Sequence, residues 1–117
     1  MDLHLKNKVI IISGGAKGIG KAISELLTHE GAVPVILDKD KEAGEAFAKE
    51  FPRSHYYKVD LFDANACRLT VEAIQKKMGS IDGLVNNAGF TETAPFLKSE
   101  PDLFEPMISI HLLGAVH

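Results

Sequence analysis

Three glycines (Gly14, Gly18 and Gly20), two carboxylates (Asp38 and Asp60) and the run Asn86-Asn87-Ala88-Gly89 have the types and spacing that could do chemistry. The glycines follow the β-branched run Val9-Ile10-Ile11-Ile12 and precede an amphipathic stretch, a pattern of strand, tight turn and helix. At the start of such a helix the backbone N–H groups lack partners and stand at the positive end of the dipole, so they can hold a phosphate anion. A side chain at Gly14 or Gly18 would obstruct the turn or a nucleotide, and one at Gly20 would hold the helix off the strand. Asp38 lies 24 residues after Gly14 at the end of a second apolar run, where a carboxylate can accept hydrogen bonds from ribose hydroxyls. It would also repel a 2′-phosphate, which favours NAD over NADP. Lys17 in the turn and Lys39 beside Asp38 could offset part of that repulsion.

These groups meet only if several strands bring their carboxyl ends to one edge of a sheet. Residues 6–13 read as the first strand, with four consecutive β-branched residues suited to burial on both faces of a parallel sheet. Ile19, Ala22, Ile23, Leu26 and Leu27 recur at helical spacing and predict an inward apolar face, with Gly31 as the stop. Residues 33–37 form the second strand, with Pro34 at its first or second position because proline cannot donate to a ladder. Asp40 is placed to cap a helix that turns Ala43, Phe47 and Phe51 inward, ahead of Pro52. A third strand, 55–59, ends in Asp60. Asp63 is placed to cap a helix with Cys67, Val71, Ile74 and Met78 on one side and Gly79 beyond its end. The fourth strand, 83–86, runs into Asn87-Ala88-Gly89; a loop from Phe90 and a helix starting near Ser99 complete the chain. This alternation predicts an α/β fold, a three-layer Rossmann-type doubly wound parallel sheet in strand order 3-2-1-4.

Bulk properties narrow the partners. A chain of 117 residues reads as a single domain, here 1–117, and a net charge of −3 without a basic cluster argues against a nucleic-acid partner. The longest apolar run is too short to span a bilayer and the first residues lack a signal-peptide pattern, so no membrane partner and a cytoplasmic location are expected. The single cysteine, Cys67, fits a packed helix residue in a reducing compartment. No histidine has metal-ligand spacing.

Together, Ser13-Gly14-Gly15-Ala16-Lys17-Gly18-Ile19-Gly20, Asp38, Asp60-Leu61 and Asn86-Asn87-Ala88-Gly89 resemble the short-chain dehydrogenase/reductase family in order and spacing. The resemblance runs over essentially the whole chain but covers only the N-terminal half of the family's length. Finer similarity, in Met1-Asp2-Leu3, Glu30-Gly31-Ala32-Val33-Pro34-Val35 and Ile81-Asp82-Gly83-Leu84-Val85, is to bacterial sugar dehydrogenases of the L-fucose type. The resemblance implies that Gly14, Gly18, Ile19 and Gly20 line the diphosphate and Asp38 the adenosine ribose. It further implies that Asp60 bonds the adenine amino group with Leu61 packing nearby, and that Asn87, Ala88 and Gly89 pass under the ribose on the nicotinamide side. The activity implied is hydride transfer between NAD and a small-molecule secondary alcohol or carbonyl, with homo-oligomers expected for a full-length parent chain.

The family's Tyr-x-x-x-Lys pair is absent from these residues: four residues beyond Tyr56 and Tyr57 stand Asp60 and Leu61. The chain therefore reads as truncated before that segment, with no catalytic residue of its own. By alignment His111 takes the place of the family's Asn, and Pro106 would kink the helix that carries it. A non-catalytic dinucleotide-binding module or pseudoenzyme is the alternative, and a methyltransferase is opposed by the glycine spacing and by Asn-Asn-Ala-Gly. The family sheet would continue with a fifth strand beyond His117, without which Leu84 and Val85 leave an apolar edge, so either a foreign partner along that edge or a larger parent molecule is expected.

Overall fold

The computed structural model describes residues 4–87 and the backbone of 110–112. The elements run β1 (Val9–Ser13), α1 (Gly18–His29), β2 (Val33–Asp38), α2 (Lys41–Glu50), β3 (His55–Lys58), α3 (Ala64–Met78), β4 (Gly83–Asn86) and β5 (Ile110–Leu112). They form one sheet in the order β3-β2-β1-β4-β5. The first four strands are parallel, in the expected order 3-2-1-4.

Burial on both faces follows from the strand sequences. Val9 and Ile11 join Val35, Leu37, Val59 and Leu84 on the face covered by Cys67 and Ile74 of α3. Ile10 and Ile12 point the other way, with Val85, against Leu27 of α1. Ile36 meets Phe47 of α2 on that second side. Two helices on one face and one on the other make three layers around a β-branched sheet.

The helix boundaries have local causes. Asp40 and Asp63 cap α2 and α3, accepting from Ala43 N and Ala66 N at 3.0 Å each. Gly79, at φ +88°, ends α3 in a conformation that costs a side-chain residue dearly. Pro34 is the second residue of β2 and sits inside the sheet. Val33 N bonds Lys8 O on the β1 side, so Pro34 faces β3, whose first pairing falls one residue later at Val35. The missing N–H therefore deprives no ladder of a bond.

Two expectations fail. On α1 the buried residues are Gly20, Ser24 and Leu27, with Ile23 half-buried, whereas Ile19 and Leu26 are 63% and 65% exposed and Ala22 is exposed too. The helix approaches the sheet through its small residues: Ser24 Oγ donates to Gly20 O at 2.8 Å and to Gly15 O at 3.3 Å. That close approach turns the larger apolar stripe partly outward.

The second correction concerns the end of the chain. The helix expected from Ser99 onward does not include Ile110–Leu112, which instead form β5, antiparallel to β4, with Leu84 opposite His111 and Val85 opposite Ile110. The backbone of a buried strand must bond something on each side, and that requirement outweighs helical periodicity here. The β4 edge, expected to pair with a strand beyond His117 or else with a foreign partner, is paired at these residues by Ile110–Leu112 of the chain itself. Pro106, the start of the expected helix and the side chain of His111 lie outside the described residues. No helix among the described residues is long and apolar enough to cross a membrane.

Candidate functional site

The carboxyl ends of β3, β2, β1 and β4 lie side by side and carry Asp60, Asp38, the glycine turn and Asn86-Asn87. The turn is built by conformation and close contact. Gly14 and Gly18 have φ of +68° and +58°, the left-handed region that glycine alone enters freely. A Cβ on Gly18 would meet nothing within 4 Å, so this glycine borders open space. A Cβ on Gly20 would overlap the Gly14 carbonyl oxygen and stand 2.5 Å from Asn87 Nδ2, so this one is an internal packing contact.

Hydrogen bonds tie the turn to both neighbouring strand ends. Toward β2, Gly14 N donates to Leu37 O at 2.7 Å, and Ala16 N donates to Asp38 Oδ2 at 3.2 Å. The other carboxylate oxygen of Asp38 accepts from Asp40 N at 2.9 Å. Toward β4, Asn87 Nδ2 donates to Gly14 O at 3.0 Å and Asn87 N to Ser13 Oγ at 3.1 Å, while Ser13 Oγ donates to Asn86 Oδ1 at 3.1 Å. Asn86 is therefore a buried tie and Asn87 the residue that touches the turn.

The helix behind the turn begins without a cap. The N-cap residue of α1 is Lys17, which makes no side-chain capping bond, and no acidic residue occupies the first turn. Among the described residues no acceptor meets the N–H groups of Gly18, Ile19 or Gly20. Lys17, Gly18 and Ile19 are exposed while Gly20 is buried, so the first of these donors stand at the exposed rim of the turn, at the positive end of the helix dipole. Both other helices of the sheet carry aspartate caps at the same point. The unpaired donors and the glycine bordering open space fit a diphosphate, and the carboxylate on the adjoining strand fits a hydroxyl donor such as a sugar.

The remaining expected site residues are placed as follows. Asp60 is exposed just beyond β3, its Oδ1 accepting from Phe62 N at 2.9 Å. Leu61 is half-buried against the α3-side core. Lys39 is exposed beside Asp38. Ala88 and Gly89 lie outside the described residues.

Sequence reading misses the site contacts of Tyr56, Gly44 and Asp40. Tyr56 donates its hydroxyl to Asp38 O at 2.8 Å, with its ring against Gly44, where a Cβ would overlap the ring carbons. Burial and the neighbouring Asp38 push the Tyr56 phenol above its ordinary pKa, so it stays a donor. An isolated glycine inside a helix is a signal for such close approach. Asp40, read only as a cap, also pairs with Lys17 at 3.0 Å.

A family model described as short chain dehydrogenase matches residues 8–117. The 3-oxoacyl-(acyl-carrier-protein) reductase of Thermotoga maritima is 34% identical over 116 residues, covering 96% of this chain and 47% of that protein. The L-fucose dehydrogenase of Bos taurus is 32% identical over 116 residues, covering 97% of this chain and 43% of that protein. Among solved structures, the 3-ketoacyl-(acyl-carrier-protein) reductase of Brucella melitensis complexed with NADH matches at TM-score 0.69 and 34% identity, over 74% of this chain and 36% of that one. The chain spans about half the length of the curated relatives it matches.

Proposed function

The chain belongs to the short-chain dehydrogenase family, and from that premise we propose that residues 1–117 form the NAD-binding portion of an oxidoreductase acting on a secondary alcohol or carbonyl, sugars included. The observation that carries the reading is the bond from Ala16 N to Asp38 Oδ2, which fastens the ribose-facing carboxylate to the anion-binding turn. An ionised carboxylate offers about four acceptor positions. Ala16 N and Asp40 N use one on each oxygen, which leaves one on each for the two hydroxyls of a ribose. A 2′-phosphate in that place would meet a like charge.

In this reading the N–H groups of Gly18, Ile19 and Gly20 receive the diphosphate, and Gly14 keeps the backbone close. Asp60 with Leu61 borders the adenine, and Asn87, Ala88 and Gly89 support the nicotinamide-side ribose. Lys17 and Lys39 flank the ribose carboxylate. When bound, the coenzyme supplies the hydride donor or acceptor. The likeness to a reductase solved with NADH supports this choice of coenzyme.

The 117 residues hold no Tyr-x-x-x-Lys pair, and the Tyr56 hydroxyl is already bonded to Asp38 O. They are proposed to bind nucleotide without turning over substrate. Calorimetric titration with NAD and NADP tests the assignment. The wild type is expected to prefer NAD, and Asp38→Ala to lose that preference by about tenfold, the effect of removing hydrogen bonds to a charged group. Equal affinities in both proteins would refute it.

A further inference from the structure

We infer that Asp40 is a specificity-determining residue of the adenosine pocket, because it pairs with the Lys17 ammonium and cancels the attraction that ammonium would offer a 2′-phosphate. The inference rests on the nucleotide reading above and deepens it. Lys17 directly precedes Gly18 at the mouth of the turn, and its Nζ lies 3.0 Å from Asp40 Oδ2. Asp40 is fixed from two other sides: its Oδ1 accepts from Ala43 N at 3.0 Å, and its own N–H donates to Asp38 Oδ1 at 2.9 Å. With Ala16 N bonded to Asp38 Oδ2, the bonds close a loop from Ala16 through Asp38 and Asp40 back to Lys17, the residue next to Ala16.

A lysine at the lip of this pocket, taken alone, would recruit a phosphate beside the ribose. Here it is already matched. Asp38, Asp40 and Lys17 sum to one negative charge, which Lys39 beside them brings to zero, so what the pairing with Asp40 removes is the extra attraction that the Lys17 ammonium would offer a phosphate at the ribose. The capping bond matters because it immobilises the carboxylate before Lys17 arrives, removing part of the ordering cost that makes exposed ion pairs weak. The pairing also favours the charged form of each partner: the Lys17 ammonium is raised by Asp40, and Asp40 is lowered by its bond from Ala43 and by Lys17.

Asp40→Asn tests this, since an asparagine keeps the capping oxygen and removes the charge. NAD and NADP are titrated into the wild type, Asp40→Asn, Lys17→Met and the double variant, with thermal melts to confirm folding. Asp40→Asn is expected to raise the NADP:NAD affinity ratio about threefold or more, the scale of an exposed charge interaction. Lys17→Met in that background is expected to remove the gain, with a smaller effect in the wild type. An unchanged ratio in Asp40→Asn overturns the proposal, as does a gain that survives in the double variant. If Asp40→Asn shifts the ratio and Asp38→Ala does not, the proposal stands and the ribose assignment of Asp38 falls. The reverse pattern overturns the proposal and leaves that assignment intact.

Discussion

Gly20→Ala separates the internal job of the glycine turn from its outward one. The added Cβ would stand 2.5 Å from Asn87 Nδ2 and 2.9 Å from the Gly14 carbonyl carbon, with the carbonyl oxygen closer still. Comfortable contact needs about 3.5 Å, so the start of α1 must retreat by about 1 Å from the turn. Alanine gains up to about 1 kcal/mol over glycine within a helix. Against this stand overpacking, about 1–3 kcal/mol where a backbone group cannot move aside, and the strained bond from Asn87 Nδ2 to Gly14 O, worth about 1 kcal/mol. The net is a loss of about 1–3 kcal/mol. At about 4–6 °C per kcal/mol for a domain of this size, melting should fall by roughly 5–15 °C. Differential scanning calorimetry measures it, with Gly18→Ala as the contrast. A Cβ there touches nothing, so only the left-handed backbone is penalised, by about 1–2 kcal/mol, while nucleotide affinity is expected to drop as well. A Gly20→Ala protein that melts at or above the wild-type temperature would refute the contact argument.

Two further outcomes follow from neighbouring contacts. Gly44→Ala should displace the Tyr56 ring, break its hydroxyl bond to Asp38 O and cost about 1–2 kcal/mol despite better helix propensity; urea melts with a parallel NAD titration read both effects. Burial pushes the Cys67 thiol up to about 11, well above the ordinary thiol range, so the folded chain favours the neutral thiol. The stability this provides is complete below about pH 9 and is lost as pH rises through about 11, amounting to about 2–3 kcal/mol at the alkaline end. The melting temperature of the wild type should therefore fall more steeply than that of Cys67→Ala across this window, and parallel slopes would contradict the assignment.

How much of this was legible beforehand depends on the range of the forces involved. The four parallel strands show in their apolar runs because burial on both faces admits few other residues there, as Ile10, Ile11 and Ile12 illustrate. The caps Asp40 and Asp63 show because a carboxylate three residues ahead of an unpaired N–H is a local event. The inward face of α1 was misread because periodicity weighs large apolar residues, whereas Gly20 and Ser24 decide the approach by being small. β5 was hidden because its pairing is settled by the unmet edge of β4, far away in sequence. At the site, the type and position of Asp38 were readable. Its partners Tyr56 and Lys17–Asp40 were not, since each contact joins elements whose packing no single stretch encodes.

Asp38 arrives at any encounter with its torsions already decided: Ala16 N and Asp40 N grip its two oxygens, while Tyr56 Oη and Val59 N hold its carbonyl. A side chain held at both oxygens on a backbone held at its carbonyl surrenders its rotational freedom when the domain folds, so under the proposed assignment a ribose would forfeit little further entropy in meeting it. Under that same proposal selectivity would be a property of the unliganded scaffold, and loosening either bond to the carboxylate should blur discrimination before it weakens attachment.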